Sequence, residues 1–197
     1  DARILWAASA TASGNGAKVS AFLGDLNKRN DPGALLATAK AYEALGDQAN
    51  ATAFYRRTYF YGAGGGEAKE AETKLTALAQ SLTPQNAEEI VTRTEKLYAA
   101  KNYADADKAF AALVTGFPAS LTPDLNLKRV VTLASVKKMS DAQAAFNSIP
   151  ASAKEKEQAY YELLVGYAKN KLWPDARRTA EEMRQALEGI LHEAPRR

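Results

Sequence analysis

Four segments of the chain repeat one another, and that repetition limits the possible folds more than any other feature. Each carries an alanine near the start of a helical stretch: Ala51, Ala106, Ala142 and Ala176. In the first three a bulky ring follows four positions on, as Tyr55, Phe110 and Phe146. Ala106 to Ala142 spans 36 positions and Ala142 to Ala176 spans 34, each the length of one helix–turn–helix unit in a stacked array. Ala51 to Ala106 spans 55, which leaves room for an extra helix, expected over 67–79.

The residue types have a steric reason. Where two helices of a hairpin cross most closely, only a small side chain lets the axes approach to about 8–10 Å. The residue three before each alanine (Tyr103, Met139, Trp173) is expected to seal the turn, and the ring four after it to fill the gap between neighbouring hairpins. One hairpin cannot bury its apolar face alone, so the hairpins must stack.

Composition agrees with helices. Alanine is roughly a fifth of the residues and β-branched residues are scarce, which favours helix by propensity. Apolar residues recur three and four apart, as in Phe110-Leu113-Val114 and Leu163-Leu164-Tyr167-Ala168, and no stretch alternates with period two. Breaks fall at Asn30-Asp31-Pro32-Gly33, Gly46-Asp47, Gly62 to Gly66, Thr83-Pro84, Phe117-Pro118, Thr122-Pro123 and Ile149-Pro150. Thr83-Pro84 and Thr122-Pro123 each place a capping oxygen before a proline at the first helical position. The expected fold is all-α: about eleven helices in a right-handed solenoid of antiparallel hairpins. It occupies 1–197 as one domain, with irregular hairpins over 1–82, more regular repeats over 83–191 and a frayed tail over 192–197.

Several function classes are disfavoured. The 197 residues are 46% hydrophobic and 25% charged, enough apolar surface for a packed core. The net charge is only +3, signs alternate along the chain, and basic doublets such as Arg56-Arg57 and Lys137-Lys138 stand apart, so no nucleic-acid footprint is expected. No apolar run approaches the roughly 20 residues of a membrane span, and no charged-then-apolar leader follows Asp1. There is no cysteine, hence no disulfide, thiolate nucleophile or cysteine metal site, and the compartment is not readable from composition.

Catalytic candidates are few. The single histidine, His192, has only Glu188 and Glu193 near it and reads as a terminal residue beside a helix C-terminus. Gly62 to Gly66 lacks the preceding strand and following Gly-Lys-Ser/Thr of a phosphate loop, and reads as a flexible link. Adjacent acids such as Glu181-Glu182 do not face each other on a helix. No catalytic residue, metal site or cofactor is expected. The run Tyr55-Arg56-Arg57-Thr58-Tyr59-Phe60-Tyr61 offers two readings, and the favoured one packs Tyr55, Tyr59 and part of Tyr61 between hairpins with the arginines snorkelling. The other makes Tyr55, Arg56, Arg57, Tyr59 and Tyr61 an aromatic–basic surface for a sugar or peptide. Aligning the repeats puts Lys40, Glu43, Glu95, Tyr98 and Tyr161 on the concave face formed by the first helices.

The repeats resemble tetratricopeptide-type repeats over nearly the whole chain. A narrower resemblance lies in Ala41-Tyr42-Glu43-Ala44-Leu45-Gly46-Asp47, Ala51, Phe54-Tyr55-Arg56-Arg57, Tyr59-Phe60-Tyr61, Glu70-Ala71-Glu72 and Lys74-Leu75. It continues in Leu97, Tyr103 to Ala106, Phe110, Leu113 and Phe117-Pro118, then in Ala142, Phe146 and Ile149-Pro150-Ala151. These residues resemble the N-terminal superhelical region of bacterial soluble lytic murein transglycosylases. That family's fold implies a ring-like α-domain preceding a lysozyme-like catalytic domain in the periplasm, where the enzyme cleaves glycan strands to 1,6-anhydro sugars. Here no Glu-Ser pair, Gly-Leu-Met-Gln or Ala-Tyr-Asn-Ala-Gly motif occurs, so no catalytic residue transfers. The resemblance implies a non-catalytic domain of the cell envelope that positions glycan and braces a catalytic domain. A tetratricopeptide-type scaffold binding a protein or peptide on its concave face is the alternative.

Overall fold

The computed structural model describes the backbone of residues 2–193 and the side chains of residues 2–188. Among the described residues the chain is all-α, with twelve α-helices, two 3-10 turns and no strand. The compact packing divides at Ala100/Lys101 into two units.

The first unit holds α1 (Ala2–Ala12), α2 (Val19–Phe22), α3 (Gly24–Lys28), α4 (Pro32–Ala44), α5 (Gln48–Tyr61), α6 (Gly66–Ala77) and α7 (Ala87–Ala99). Within 1–82, α2 and α3 are short, with four and five residues. Asp31 caps α4 through its side chain with Pro32 at the first helical position, and Asp47 caps α5. α1 packs on α4, α4 on α5, α5 on α6 and α7, and α4 on α6. One core gathers Ala7, Val19, Leu23 and Ala34; another gathers Ala51, Tyr55, Phe60, Ala71 and Leu75. The extra helix expected over 67–79 is α6, one residue early at its start and two short at its end.

One helix start differs from expectation. α7 begins at Ala87 with Asn86 as its cap, three residues beyond the Thr83-Pro84 pair. The Thr83 carbonyl accepts from Arg56 Nη2 at 2.7 Å and Gln85 N donates to Glu89 Oε2 at 2.7 Å, which holds 83–85 outside the helix.

The second unit holds α8 (Tyr103–Gly116), α9 (Pro123–Ser135), α10 (Met139–Asn147), α11 (Glu155–Lys169) and α12 (Trp173–Glu193). Here Thr122 does cap a helix with Pro123 at the first position. α8 packs on α9, α9 on α10 and α11, α10 on α11, and α11 on α12. The tail expected over 192–197 falls largely outside the described residues: α12 reaches Glu193, and 194–197 are not described.

The four alanines behave as their spacing requires: Ala51, Ala106 and Ala142 have no exposed surface and Ala176 is buried, as are Tyr55, Phe110 and Phe146. Met139 is buried beside the Gly166 position of α11 and Tyr103 is half-buried. Trp173, expected to seal its turn, is instead exposed; among the described residues no later helix covers it as α11 covers Met139.

The repeat extends to the backbone of the turns. Gly46, Lys101, Lys137 and Lys171, each five residues before an anchor alanine, all have positive φ, at 75°, 56°, 65° and 60°. At Gly46, Lys137 and Lys171 the turn closes as a Schellman motif: Asp47 N donates to Tyr42 O, Lys138 N to Leu133 O and Leu172 N to Tyr167 O. Glycine takes this conformation freely at 46, whereas three lysines adopt it against the clash of their Cβ.

Candidate functional site

α4 places Lys40 and Glu43 one turn apart, and α6 places Glu70 and Lys74 opposite them. Lys40 Nζ lies 2.7 Å from Glu70 Oε1, and Lys74 Nζ donates to Glu43 Oε1 at 2.9 Å. Two crossed ion pairs thus seam the helices, with opposite signs alternating on each. Tyr55 Oη, rising from α5, donates to Glu43 Oε2 at 2.6 Å. The hydrogen bond from Lys74, then that from Tyr55, holds the Glu43 carboxyl below the ordinary carboxylate range, while burial and the Glu43 charge push the Tyr55 phenol well above its usual value.

Beside this seam runs a groove of about 370 Å³, walled by Ile4, Ala8 and Thr11 of α1 and by Gly33, Leu36 and Ala37 of α4, with Lys40 and Glu67 at its polar edge. Small residues keep it open. A Cβ at Gly33 would lie 2.6 Å from Ile4 Cδ1, so the missing side chain leaves room for the tip of Ile4. The groove is an apolar trough with one cation and one carboxylate at the rim, suited to an extended ligand of mixed character.

Of the five residues expected on one face, the structure joins Lys40 and Glu43 at this seam. Glu95 and Tyr98 are half-buried on α7, which packs against α5, and Tyr161 is exposed on α11 of the second unit. Of the two readings of 55–61, the burial of the rings matches the packing one. Tyr55 is fully buried, Tyr59 is buried, and Tyr61 is half-buried, its phenol raised chiefly by that burial. The arginines do more than snorkel. Arg56 makes a two-pronged bond to Glu89, 3.0 and 2.8 Å, and also donates to Ser81 O and Thr83 O over the Phe60 ring. Arg57 donates to Asn27 O and Asn30 Oδ1, both at 2.7 Å. All four residues from 55 to 57 and 59 therefore belong to the packing of the unit, because helical spacing directs the rings inward and the buried partners draw the guanidinium groups after them.

The Arg56–Glu89 bridge was not legible beforehand, since its partners lie 33 residues apart and neither is marked by a motif. Nor was a cleft of about 440 Å³ in the second unit, formed by 151–154, Lys156 and Tyr160 with Met183 and Leu187 of α12. There Lys156 Nζ donates to Phe146 O at 2.9 Å and Ile149 O at 3.0 Å and sits 3.5 Å from the Phe146 ring centroid. It caps the carbonyl end of α10, and burial pushes its ammonium down from the ordinary lysine value.

Among the described residues no group of three or more His, Asp or Glu side chains could hold a metal, and no helix is long and apolar enough to cross a membrane. The His192 side chain lies outside the described residues. No family model matches the chain, and no curated protein or solved structure matches it either.

Proposed function

We propose that the chain is a non-catalytic helical-repeat domain of the bacterial cell envelope, a right-handed solenoid of tetratricopeptide-like hairpins that works with a lytic murein transglycosylase. In this reading it positions a glycan strand and braces a catalytic domain that this chain does not itself supply, acting in the periplasm. The observation that carries the repeat part of the reading is the register of turn and anchor. A left-handed residue at 46, 101, 137 and 171 precedes a buried alanine by five positions in every copy. The residues that resemble the transglycosylase helical region supply the rest, and several of them (Glu43, Tyr55, Arg56, Lys74) form the polar ties of the first unit.

The test is sedimentation of the purified chain with insoluble peptidoglycan sacculi, with soluble muropeptides followed in the same tube. Binding without release is the expected result. Release of anhydro-muropeptides would overturn the non-catalytic assignment, and absence of binding would overturn the cell-wall reading. The α4–α6 seam and its apolar groove favour one other reading, a scaffold for a peptide of mixed polarity. Its signature is a partner whose capture weakens on joint charge reversal at Lys40 and Glu95 and depends modestly on salt.

A further inference from the structure

Large aromatic side chains left open to water are the informative exceptions on a folded surface. On α1 and α2 they occur as a pair. Trp6 and Phe22 are 40% and 45% exposed, yet their rings touch, with centroids 4.3 Å apart and planes inclined at 51°. Leu5 beside them is 74% exposed. One turn away on the same two chain segments is a second cross-pair, Arg3 with Asp25: Arg3 Nη1 donates to Asp25 Oδ1 at 3.0 Å and Oδ2 at 3.1 Å. Arg29 Nη2 donates to Asp25 Oδ2 at 3.1 Å, so one carboxylate organises two guanidinium groups. The result is a tilted, exposed two-ring platform on the same stretches of chain as a charged hydrogen-bonding array.

We propose that this platform, Trp6 and Phe22 together with Arg3, Asp25 and Arg29, is a binding site for a pyranose of an oligosaccharide chain. A pyranose has an apolar face of C–H groups and a rim of hydroxyls that both donate and accept. The two rings offer the apolar contact, and a carboxylate between guanidinium groups offers acceptors and donors side by side. Other occupants fit less well. A membrane surface is recognised by several unpaired cations, whereas Arg3 and Arg29 share Asp25. Three exposed apolar side chains bury far less than a stable dimer interface requires. An apolar peptide anchor needs a pocket, and the groove beside the α4–α6 seam draws on other α1 residues, Ile4, Ala8, Thr11 and Ala12.

The location rests on the surface itself; the choice of an amino-sugar chain as probe rests on the glycan reading above. The experiment is calorimetric titration of the chain with chitotetraose, alongside sacculus sedimentation, using wild type, Trp6→Ala, Asp25→Asn and Trp173→Ala, each checked for native helicity. Trp173 is also exposed, so its replacement controls for loss of any surface tryptophan. Saturable binding that weakens about tenfold or more in Trp6→Ala and Asp25→Asn, and stays unchanged in Trp173→Ala, is the expected result. Chitotetraose affinity that is absent in wild type or unchanged in Trp6→Ala overturns the platform. Chitotetraose binding through Trp6 without sacculus binding leaves the platform standing and removes the cell-wall reading. Sacculus binding that survives Trp6→Ala does the reverse. Concentration-dependent self-association abolished by Trp6→Ala would assign the rings to a second copy and also overturn the proposal.

Discussion

In the first unit, apolar cores are joined by a set of charged or polar ties between helices distant in sequence: Arg56 to Glu89, Arg57 to Asn30, Lys74 to Glu43, and Asn27 to Thr38 at 2.9 Å. In the second unit one compact core of alanines and rings, from Val130 to Ala176, does that work. Its long-range polar ties among the described residues include Lys138 to Asp107, Tyr167 to Gln143 and Asn170 to Ala134 O. The satisfaction of buried polar atoms differs as well. Asn27 and Thr38 are both buried and bonded to each other, whereas Asn126 Oδ1 and Thr179 Oγ1 in the second unit are buried with no hydrogen-bond partner. A regular repeat stacks chiefly on shape. Where the repeat is interrupted, directional bonds have to fix the helices instead.

The contrast can be broken most forcefully at its polar hub. Glu89→Ala leaves Arg56 buried without its carboxylate and should cost about 3–5 kcal/mol, read as a fall in the urea midpoint. Joint replacement of Arg56 by Met and Glu89 by Leu should recover most of that loss, since a well-packed apolar pair replaces a buried ionic one at little net cost. In the second unit the corresponding blow is steric. A Cβ at Gly166 would meet Ala134 Cβ at 2.8 Å, so Gly166→Ala should cost about 1–3 kcal/mol by overpacking. Gly33→Ala in the first unit presses only on the movable end of Ile4 and should cost less.

A matched pair sharpens the comparison further. Thr38→Val strands the Asn27 amide and should destabilise by about 1–3 kcal/mol, while Thr179→Val removes an unbonded buried hydroxyl and should be neutral or stabilising. The smallest expected effect is in acid. The Glu43 carboxyl is held below its ordinary value of 4.5 by Lys74 and Tyr55. Its stabilisation is therefore complete above that pH and is lost as pH falls through the depressed folded-state value. Glu43→Gln should flatten thermal stability against pH below about 4.5, modestly, because the Glu43 and Lys74 side chains are each about a third exposed.

The parts of the fold visible in the sequence are those carried by local spacing. Alanine and ring positions announced the buried positions of short helices, and Asp31-Pro32 and Thr122-Pro123 announced two helix starts. Thr83-Pro84 misled because Arg56, 27 residues away, had claimed its carbonyl. Three of the repeating turns were invisible because lysine occupies the backbone state that glycine usually signals. Of the site, repeat alignment singled out Lys40 and Glu43, though for a concave face and not for the pairing with Glu70 and Lys74. The groove wall from α1 was not singled out, since α1 lies outside the repeats, and the same holds for the Trp6–Phe22 contact between segments without internal register.

Those three lysines set a conflict between two kinds of fitness. Exchanging Lys101, Lys137 and Lys171 for glycine would relieve an unfavourable backbone geometry, worth about 1 kcal/mol at each position, without disturbing any buried side chain. It would also take the formal net charge from +3 to zero, where proteins associate and precipitate most readily. Colloidal stability and conformational stability therefore pull in opposite directions at the same three turns.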